Sequence, residues 1–165
     1  MVLKFLGCIM LLAATTSTGF LLSHRLSKRR DFLKAFIAFI NSVTTNIRYS
    51  SADIFTVITS SANSDSLLYF AIDTAQNLPF EAVWKDKIDN IPKHLSLTEA
   101  DKKLLYEFGT QLGKTDVDGQ LKHLELYKIS FTKQLSFAEE AIKQKSKLYK
   151  SMGFFAGAAI ALMMI

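Results

Sequence analysis

Two uncharged apolar runs, one near each end of the chain, constrain the fold more than any other feature of the sequence. Residues 5–22 hold eighteen residues without a charge. At about 1.5 Å per residue, a helix of this length spans about 27 Å, close to the thickness of the hydrocarbon layer of a bilayer. The second run, residues 152–165, is shorter, and it reaches a similar length if its helix begins near residue 148. The two runs therefore predict transmembrane helices over residues 1–24 and 148–165.

Each run has an alternative interpretation. The first could be a cleaved signal peptide, because Lys4 and a short apolar core also fit that pattern. The apolar residues resume at Phe20–Leu22, however, and a dense basic cluster follows, which favours a retained anchor. The second could be a buried core helix, but its lack of polar residues on every face favours a membrane span.

The basic residues flank these runs instead of covering the central domain. Residues 1–30 hold five basic and no acidic residues, residues 143–165 hold four basic and no acidic residues, and residues 31–142 hold eleven basic and fifteen acidic residues. A nucleic-acid-binding protein needs a basic face on its folded domain, so this distribution argues against that class. Positive flanks predict a cytoplasmic domain with both termini outside. The predicted topology-determining residues are Arg25, Lys28, Arg29, Arg30, Lys143, Lys145, Lys147 and Lys150.

Helical periodicity dominates residues 25–147. Apolar residues recur at three- and four-residue spacing after the first run, and we expect that helix to continue directly from the membrane span. Further helices are predicted from Ser50 or Ser51, from Ser64 or Asp65, between Pro79 and Pro92, from the capping-box sequence 98–101, and from Thr115 or Asp116 towards the second span. The predicted fold is all-α: a cytoplasmic bundle of about six helices, flanked by an N-terminal and a C-terminal transmembrane helix.

Small residues in the second run suggest close helix packing. Gly153, Gly157 and Ala161 recur one helical turn apart and form a stripe on one face. In lipid such a stripe lets two helix backbones approach closely. We expect a contact either with the first span, which offers Gly7, Ala14 and Gly19, or with another subunit; chance in a span rich in small residues is the alternative.

No sequence motif indicates catalysis or a cofactor. The glycines fit neither phosphate-loop nor dinucleotide spacing. Cys8 is the only cysteine, and the three histidines lie far apart in sequence, so no metal site is predicted. We expect His94 and His123 to be solvated. These observations predict a protein that is not an enzyme and that needs no cofactor.

Three segments give the sequence a family resemblance. These are the amphipathic helix ending Ile47-Arg48-Tyr49, the segment Leu112-Gly113-Lys-Thr-Asp116-Val-Asp-Gly-Gln120, and the entry to the last span, Leu148-Tyr149-Lys-Ser-Met-Gly153. With the two terminal spans, the whole chain resembles the stage III sporulation protein AB family of endospore-forming bacteria. Met152 departs from the leucine more common before that glycine, a nearly neutral exchange.

The resemblance implies a function that the residues alone do not give. It implies a non-enzymatic platform component of the channel-like complex between mother cell and forespore, located in the mother-cell membrane around the forespore, with a domain similar to the cytoplasmic domain of type II secretion platform proteins. The implied partners are membrane lipid, other membrane components of the complex, and a cytoplasmic secretion-type ATPase similar to stage III sporulation protein AA. A membrane-tethered sensor or adaptor remains the alternative function.

The candidate partner-binding residues come from the segments that carry the resemblance. They are Arg48, Tyr49, Gly113, Asp116 and Gln120. For the last three the alternative is that they only shape a turn, with Gly113 as a helix C-cap, Asp116 as an N-cap and Gln120 in the first helical turn.

Overall fold

The fold is taken from a computed structural model of the 165-residue chain. It describes residues 2–49, 54–62 and 79–164. Within these ranges the described side chains exclude those of residues 2–6, 8, 9, 11, 12, 54, 55, 150, 154, 157 and 161–164.

The described residues form five α-helices. They are α1 (Val2–Tyr49), α2 (Ile54–Ala62), α3 (Phe80–Asp89), α4 (Glu99–Gln111) and α5 (Val117–Met164), with a 3₁₀ turn at Lys93–Leu95 between α3 and α4. The predicted all-helical fold and the two long terminal helices are confirmed. The helix predicted from Ser64 or Asp65 lies outside the described residues.

The chain divides into two compact units. The first, here called the hairpin unit, comprises residues 1–28 and 137–165, and the second, the bundle unit, comprises residues 29–136. Helices α1 and α5 each contribute residues to both units. Contacts define these units, whereas membrane spans defined the predicted domains, so the predicted boundaries after residues 24 and 147 stay predictions.

Aromatic rings form the core of the bundle unit, with Phe36 of α1 at their centre. Its ring centroid lies 4.6 Å from that of Phe131 in α5, 5.3 Å from that of Phe108 in α4, and 6.4 Å from that of Trp84 in α3. Tilted and edge-on ring pairs at such distances add to the free energy gained by burial. One side chain of α1 therefore contacts three other helices.

Helices α3 and α4 pack closely because residue 109 has no side chain. A Cβ on Gly109 would overlap the indole ring of Trp84. The indole Nε1–H donates a hydrogen bond of 2.8 Å to the carbonyl oxygen of Leu105. Glycine thus allows the ring to lie flat on α4, and the hydrogen bond satisfies its buried donor.

A buried ion pair joins α1 to α4. Arg29 Nε lies 2.7 Å from Asp101 Oδ2 and Arg29 Nη2 lies 3.0 Å from Asp101 Oδ1, while Asp101 has no exposed surface. Arg29 also donates to Gln134 of α5. Asp101 accepts from the backbone N–H and the hydroxyl of Thr98, which confirms the predicted capping box. The sequence pattern predicts Arg29 as part of the membrane flank and gives no sign of this ion pair.

The hairpin unit pairs the start of α1 with the end of α5 through small residues. A Cβ on Gly19 would lie 2.5 Å from the carbonyl oxygen of Tyr149, and a Cβ on Gly153 would lie 2.7 Å from that of Thr15. Four residues further along α1, the hydroxyls of Ser23 and Ser146 share a hydrogen bond of 2.5 Å. The two helices therefore approach backbone to backbone within this unit.

The predicted membrane spans are not confirmed. In the part of the chain that the structure describes, no helix carries a stretch long and apolar enough to cross a bilayer. Both predicted spans contain residues whose side-chain surroundings lie outside the described set. In the second span these include Lys150, Gly157 and Ala161.

Candidate partner-binding site

The turn between α4 and α5 holds three of the candidate partner-binding residues. Helix α4 ends at Gln111, Leu112 is its C-cap, and Gly113 follows with φ of 81°. Side chains are strained in this left-handed region, so glycine lets the chain reverse here. The structure thus places the C-cap one residue before the predicted Gly113, and Gly113 supplies the left-handed residue that follows it.

Gln120 holds the turn from inside. Its Oε1 accepts a 3.0 Å hydrogen bond from the Gly113 N–H, and its Nε2 donates to the Thr115 hydroxyl at 2.9 Å and to the Gln111 carbonyl at 3.4 Å. Only 5% of Gln120 is exposed. Within the turn, the side-chain amide therefore uses its oxygen as an acceptor and its nitrogen as a donor. Little of it remains for another protein to contact.

Asp116 caps the start of α5. Its Oδ1 accepts a 3.1 Å hydrogen bond from the backbone N–H of Gly119, and its carbonyl accepts from the Gln120 N–H. A Cβ on Gly119 would lie 2.8 Å from Asp116 Oδ1, so a small residue permits this cap. The geometry of all three residues fits the turn-shaping alternative, and their contact with a partner stays a prediction.

A polar groove lies beside this turn, between the last turns of α1 and the first turns of α5. Its volume is about 440 Å³. The groove brings Arg48, a candidate from one motif segment, to Asp118, which lies inside the other, although the two are 70 residues apart in the chain. Its lining residues are Asn41, Thr44, Arg48, Asp118, Leu121, Lys122, Leu124, Glu125 and Lys128.

The charged side chains of the groove have no ion-pair partner among the described residues. This applies to Arg48, Asp118, Lys122, Glu125 and Lys128. Lysines elsewhere in the bundle unit do pair, as the 2.9 Å contacts of Lys114 with Glu81 and of Lys102 with Glu99 illustrate. Ion pairs among the described residues therefore do not neutralise these five charges.

Exposed apolar residues accompany the groove. Tyr49, the last residue of α1, is 82% exposed, and Leu126 and Ile129 of α5 are also largely exposed. On a helix with 100° between residues, Ile129 falls between Asp118 and Lys122 on the groove side. Apolar anchors with charges around them are the usual composition of a protein-binding surface. The spacing of apolar residues in the sequence gave no sign that Leu126 and Ile129 are exposed.

The prediction that His123 is solvated is not confirmed by the structure. It lies half-buried one turn beyond Gln120, with its ring centroid 4.5 Å from that of Tyr127 and 5.9 Å from that of Phe108. Its Nε2–H donates to the Phe108 carbonyl oxygen at 3.2 Å. Burial lowers the pKa of His123, with this hydrogen bond acting the other way, and burial raises the pKa of Tyr127, helped by the Glu107 carboxylate. The aromatic neighbours thus favour the neutral imidazole.

The site offers no geometry for a metal. Across the described ranges, no three His, Cys, Asp or Glu side chains are close enough to hold an ion. The three histidines were already too far apart in sequence to suggest one.

The residues predicted to determine topology separate into two groups. Arg25, Lys143, Lys145 and Lys147 are exposed in the hairpin unit and Lys28 is half-buried there, whereas Arg29 and Arg30 pair with Asp101 and Asp31 in the bundle unit. Of the small-residue stripe, Gly153 lies against Thr15 and Gly19. The side chains of Lys150 and Ala161 and the surroundings of Gly157 are outside the described set.

These features define an all-helical protein in which two long helices contribute both to a hairpin and to a bundle. The chain belongs to the stage III sporulation protein AB family, whose model matches residues 4–165. It is similar to stage III sporulation protein AB of Bacillus subtilis (strain 168), with 26% identity over 170 residues that cover 99% of each chain. No solved structure matches the chain. The family match confirms the resemblance and supports a sporulation-related role; the family is not a known enzyme family.

Proposed function

We propose that this chain is a non-enzymatic platform component of a sporulation complex, held in the mother-cell membrane by the hairpin unit. The bundle unit lies in the cytoplasm, binds a secretion-type ATPase similar to stage III sporulation protein AA, and passes the effect of that binding to the membrane components. The family membership supplies the sporulation context.

The surface of the hairpin unit carries the membrane part of the proposal. Many of its exposed side chains are large and apolar: Met10, Phe20, Leu21, Leu22, Phe137, Leu148, Met152, Phe155 and Ile160. In water, each such side chain keeps its apolar surface hydrated. Removing that surface from water would be favourable by about 25 cal/mol per Å². A bilayer covers this area, and the uncharged run at residues 5–22 has the length that a bilayer requires.

The charged groove supports the partner part of the proposal. Arg48, Lys122 and Lys128 lie beside Asp118 and Glu125 without pairing with any described residue. Such charges increase association rates and fix the orientation of a partner, because they attract complementary charges on its surface. The continuous helix α5 begins at this groove and continues into the hairpin unit, so it links the binding surface to the membrane anchor.

Membrane fractionation tests the anchor. The full chain should remain in the membrane pellet after a carbonate or high-salt wash and should enter detergent. Protease added from the cytoplasmic side should cleave the bundle unit, and protease added from outside should leave it intact. Release of the chain by high salt alone would refute the anchoring.

Capture of the companion ATPase tests the groove. Arg48→Ala combined with Lys122→Ala should reduce capture by the detergent-extracted chain, while Lys93→Ala, an exposed lysine in the 3₁₀ turn, should leave it unchanged. Gln120→Ala discriminates less well, because it also removes the hydrogen bonds that hold the turn. Capture of the double variant at the wild-type level would contradict docking at this groove.

A further inference from the structure

In the hairpin unit, two basic segments of the sequence lie at the same height along the two paired helices. Residues 25–28 of α1 and 143–147 of α5 are more than a hundred positions apart in the chain. The hydrogen bond between the hydroxyls of Ser23 and Ser146 places them side by side. The contact of Gly19 with Tyr149 keeps the two helices in register one turn further along.

Five cations therefore surround the hairpin at the level of the two serines. Arg25, Lys143, Lys145 and Lys147 are exposed and Lys28 is half-exposed, and we call these five residues the basic collar. None of them forms an ion pair with a described residue. Nearby Glu140 instead accepts a hydrogen bond from Gln144, and Glu139 also has a contact of its own. The collar thus holds an excess of positive charge that the unit itself does not neutralise.

An exposed apolar surface begins directly beside the collar. Leu21 and Leu22 precede Arg25 by about one helical turn on α1, and Leu148 and Met152 follow Lys147 on α5. Moving along either helix, a ligand meets cations first and hydrocarbon next. Acyl chains joined to an anionic phosphate headgroup present the same two chemistries in the same order.

We propose that the basic collar is a binding site for anionic phospholipid, with the headgroup phosphate among the collar cations and the acyl chains along the apolar surface. The inference rests on the proposed membrane anchoring and adds a lipid class to it. Neutral lipids of the same chain length cover the apolar surface but leave the collar charges unneutralised. The protein accordingly enriches anionic lipid around its hairpin.

The test uses the full chain reconstituted into vesicles of phosphatidylcholine with a minor fraction of phosphatidylglycerol. The lipids that co-purify on re-extraction are quantified by mass spectrometry and compared with the bulk ratio. Each basic residue near a membrane surface raises affinity for anionic lipid by about fivefold. The triple variant Lys143→Gln, Lys145→Gln, Lys147→Gln should therefore lose most of the phosphatidylglycerol enrichment. Vesicle flotation should show that it still inserts, and circular dichroism should show wild-type helicity.

A matched control removes the same charge from the bundle unit. Lys85→Gln, Lys93→Gln and Lys103→Gln together should retain the wild-type enrichment, because these exposed lysines lie outside both the hairpin unit and the groove. Equal enrichment by the collar variant, no enrichment by the wild-type chain that floats with the vesicles, or full competition by inorganic phosphate would each overturn the proposal. A wild-type chain that fails to float with any vesicle would refute the membrane anchoring itself, so the two failures are distinguishable.

Discussion

Removing Arg29 tests how far a single buried ion pair stabilises the bundle unit. Asp101 has no exposed surface and lies in two short contacts with the guanidinium, 2.7 Å and 3.0 Å long. Arg29→Met fills a similar volume but leaves a buried carboxylate without its counter-charge. Breaking a buried pair on one side costs about 3–5 kcal/mol. The hydrogen bonds from Thr98 remain, so we expect the lower half of that range.

Urea unfolding of the detergent-solubilised full chain measures the change in the free energy of unfolding. Trp84 is the only tryptophan and is buried in the bundle unit, so its fluorescence reports unfolding of that unit. With a slope of about 2 kcal/mol per M urea, a loss of about 3–4 kcal/mol lowers the midpoint by about 1.5–2 M. Arg30→Met is the matched control: Arg30 pairs with partly exposed Asp31, and such pairs contribute about 0–1 kcal/mol.

A double-mutant cycle separates the pair from other effects. Asp101→Asn alone should also destabilise, and combined with Arg29→Met it should cost about 2 kcal/mol less than the two single changes added together, because the second change removes an already unpaired charge. A midpoint for Arg29→Met within the range of the Arg30→Met control, or strict additivity in the cycle, would refute the argument that the pair stabilises the unit.

Three further perturbations follow from the bundle unit. Gly109→Ala places a methyl group against the Trp84 ring and should destabilise by about 1–3 kcal/mol with a red shift of tryptophan emission; an unchanged spectrum would contradict the packing. Gln120→Ala leaves the Gly113 N–H without its acceptor and should cost about 1–3 kcal/mol in urea unfolding, and an unchanged midpoint would contradict this role of the hydrogen bond. The pKa of His123 is lowered on folding, so the unfolded chain binds more protons than the folded chain when the pH is mildly acidic. Stability should therefore be full above the ordinary histidine pKa of 6.5 and fall as the pH drops below it. His123→Phe should weaken this dependence in unfolding curves measured between pH 7 and pH 5, and an identical pH dependence would exclude His123 as its source.

Local patterns explain why the helices were predictable. The spacing of apolar residues along α1 and α5, the capping box at Thr98, and the prolines before α3 and before the 3₁₀ turn act within one or two helical turns. Such signals can be read without knowing what each helix packs against. The turn-shaping alternative for Gly113, Asp116 and Gln120 belongs to the same category, because all three act within eight residues of one another.

Pairings between distant residues could not be read in this way. The sequence predicts Arg29 as part of a basic membrane flank, since nothing near it in the chain indicates Asp101, 72 residues later. It predicts a solvated His123, since it does not show that Phe108 of another helix, α4, packs on the histidine. It also does not distinguish the apolar residues of α5 that enter the core, such as Phe131, from Ile129, which stays exposed. Periodicity identifies an apolar face but not which part of that face another helix covers.

The two apolar runs and the charges beside them were determined by the sequence alone, because hydropathy and charge belong to each residue wherever it lies. The sequence likewise determined an all-helical chain with two long terminal helices. Only the tertiary structure decided which cations are neutralised: it buries Arg29 against Asp101 and leaves Arg25 and Lys147 on the surface of the hairpin unit. Neutralisation depends on distances of a few ångströms between side chains far apart in the chain, and only the packing of the helices sets those distances.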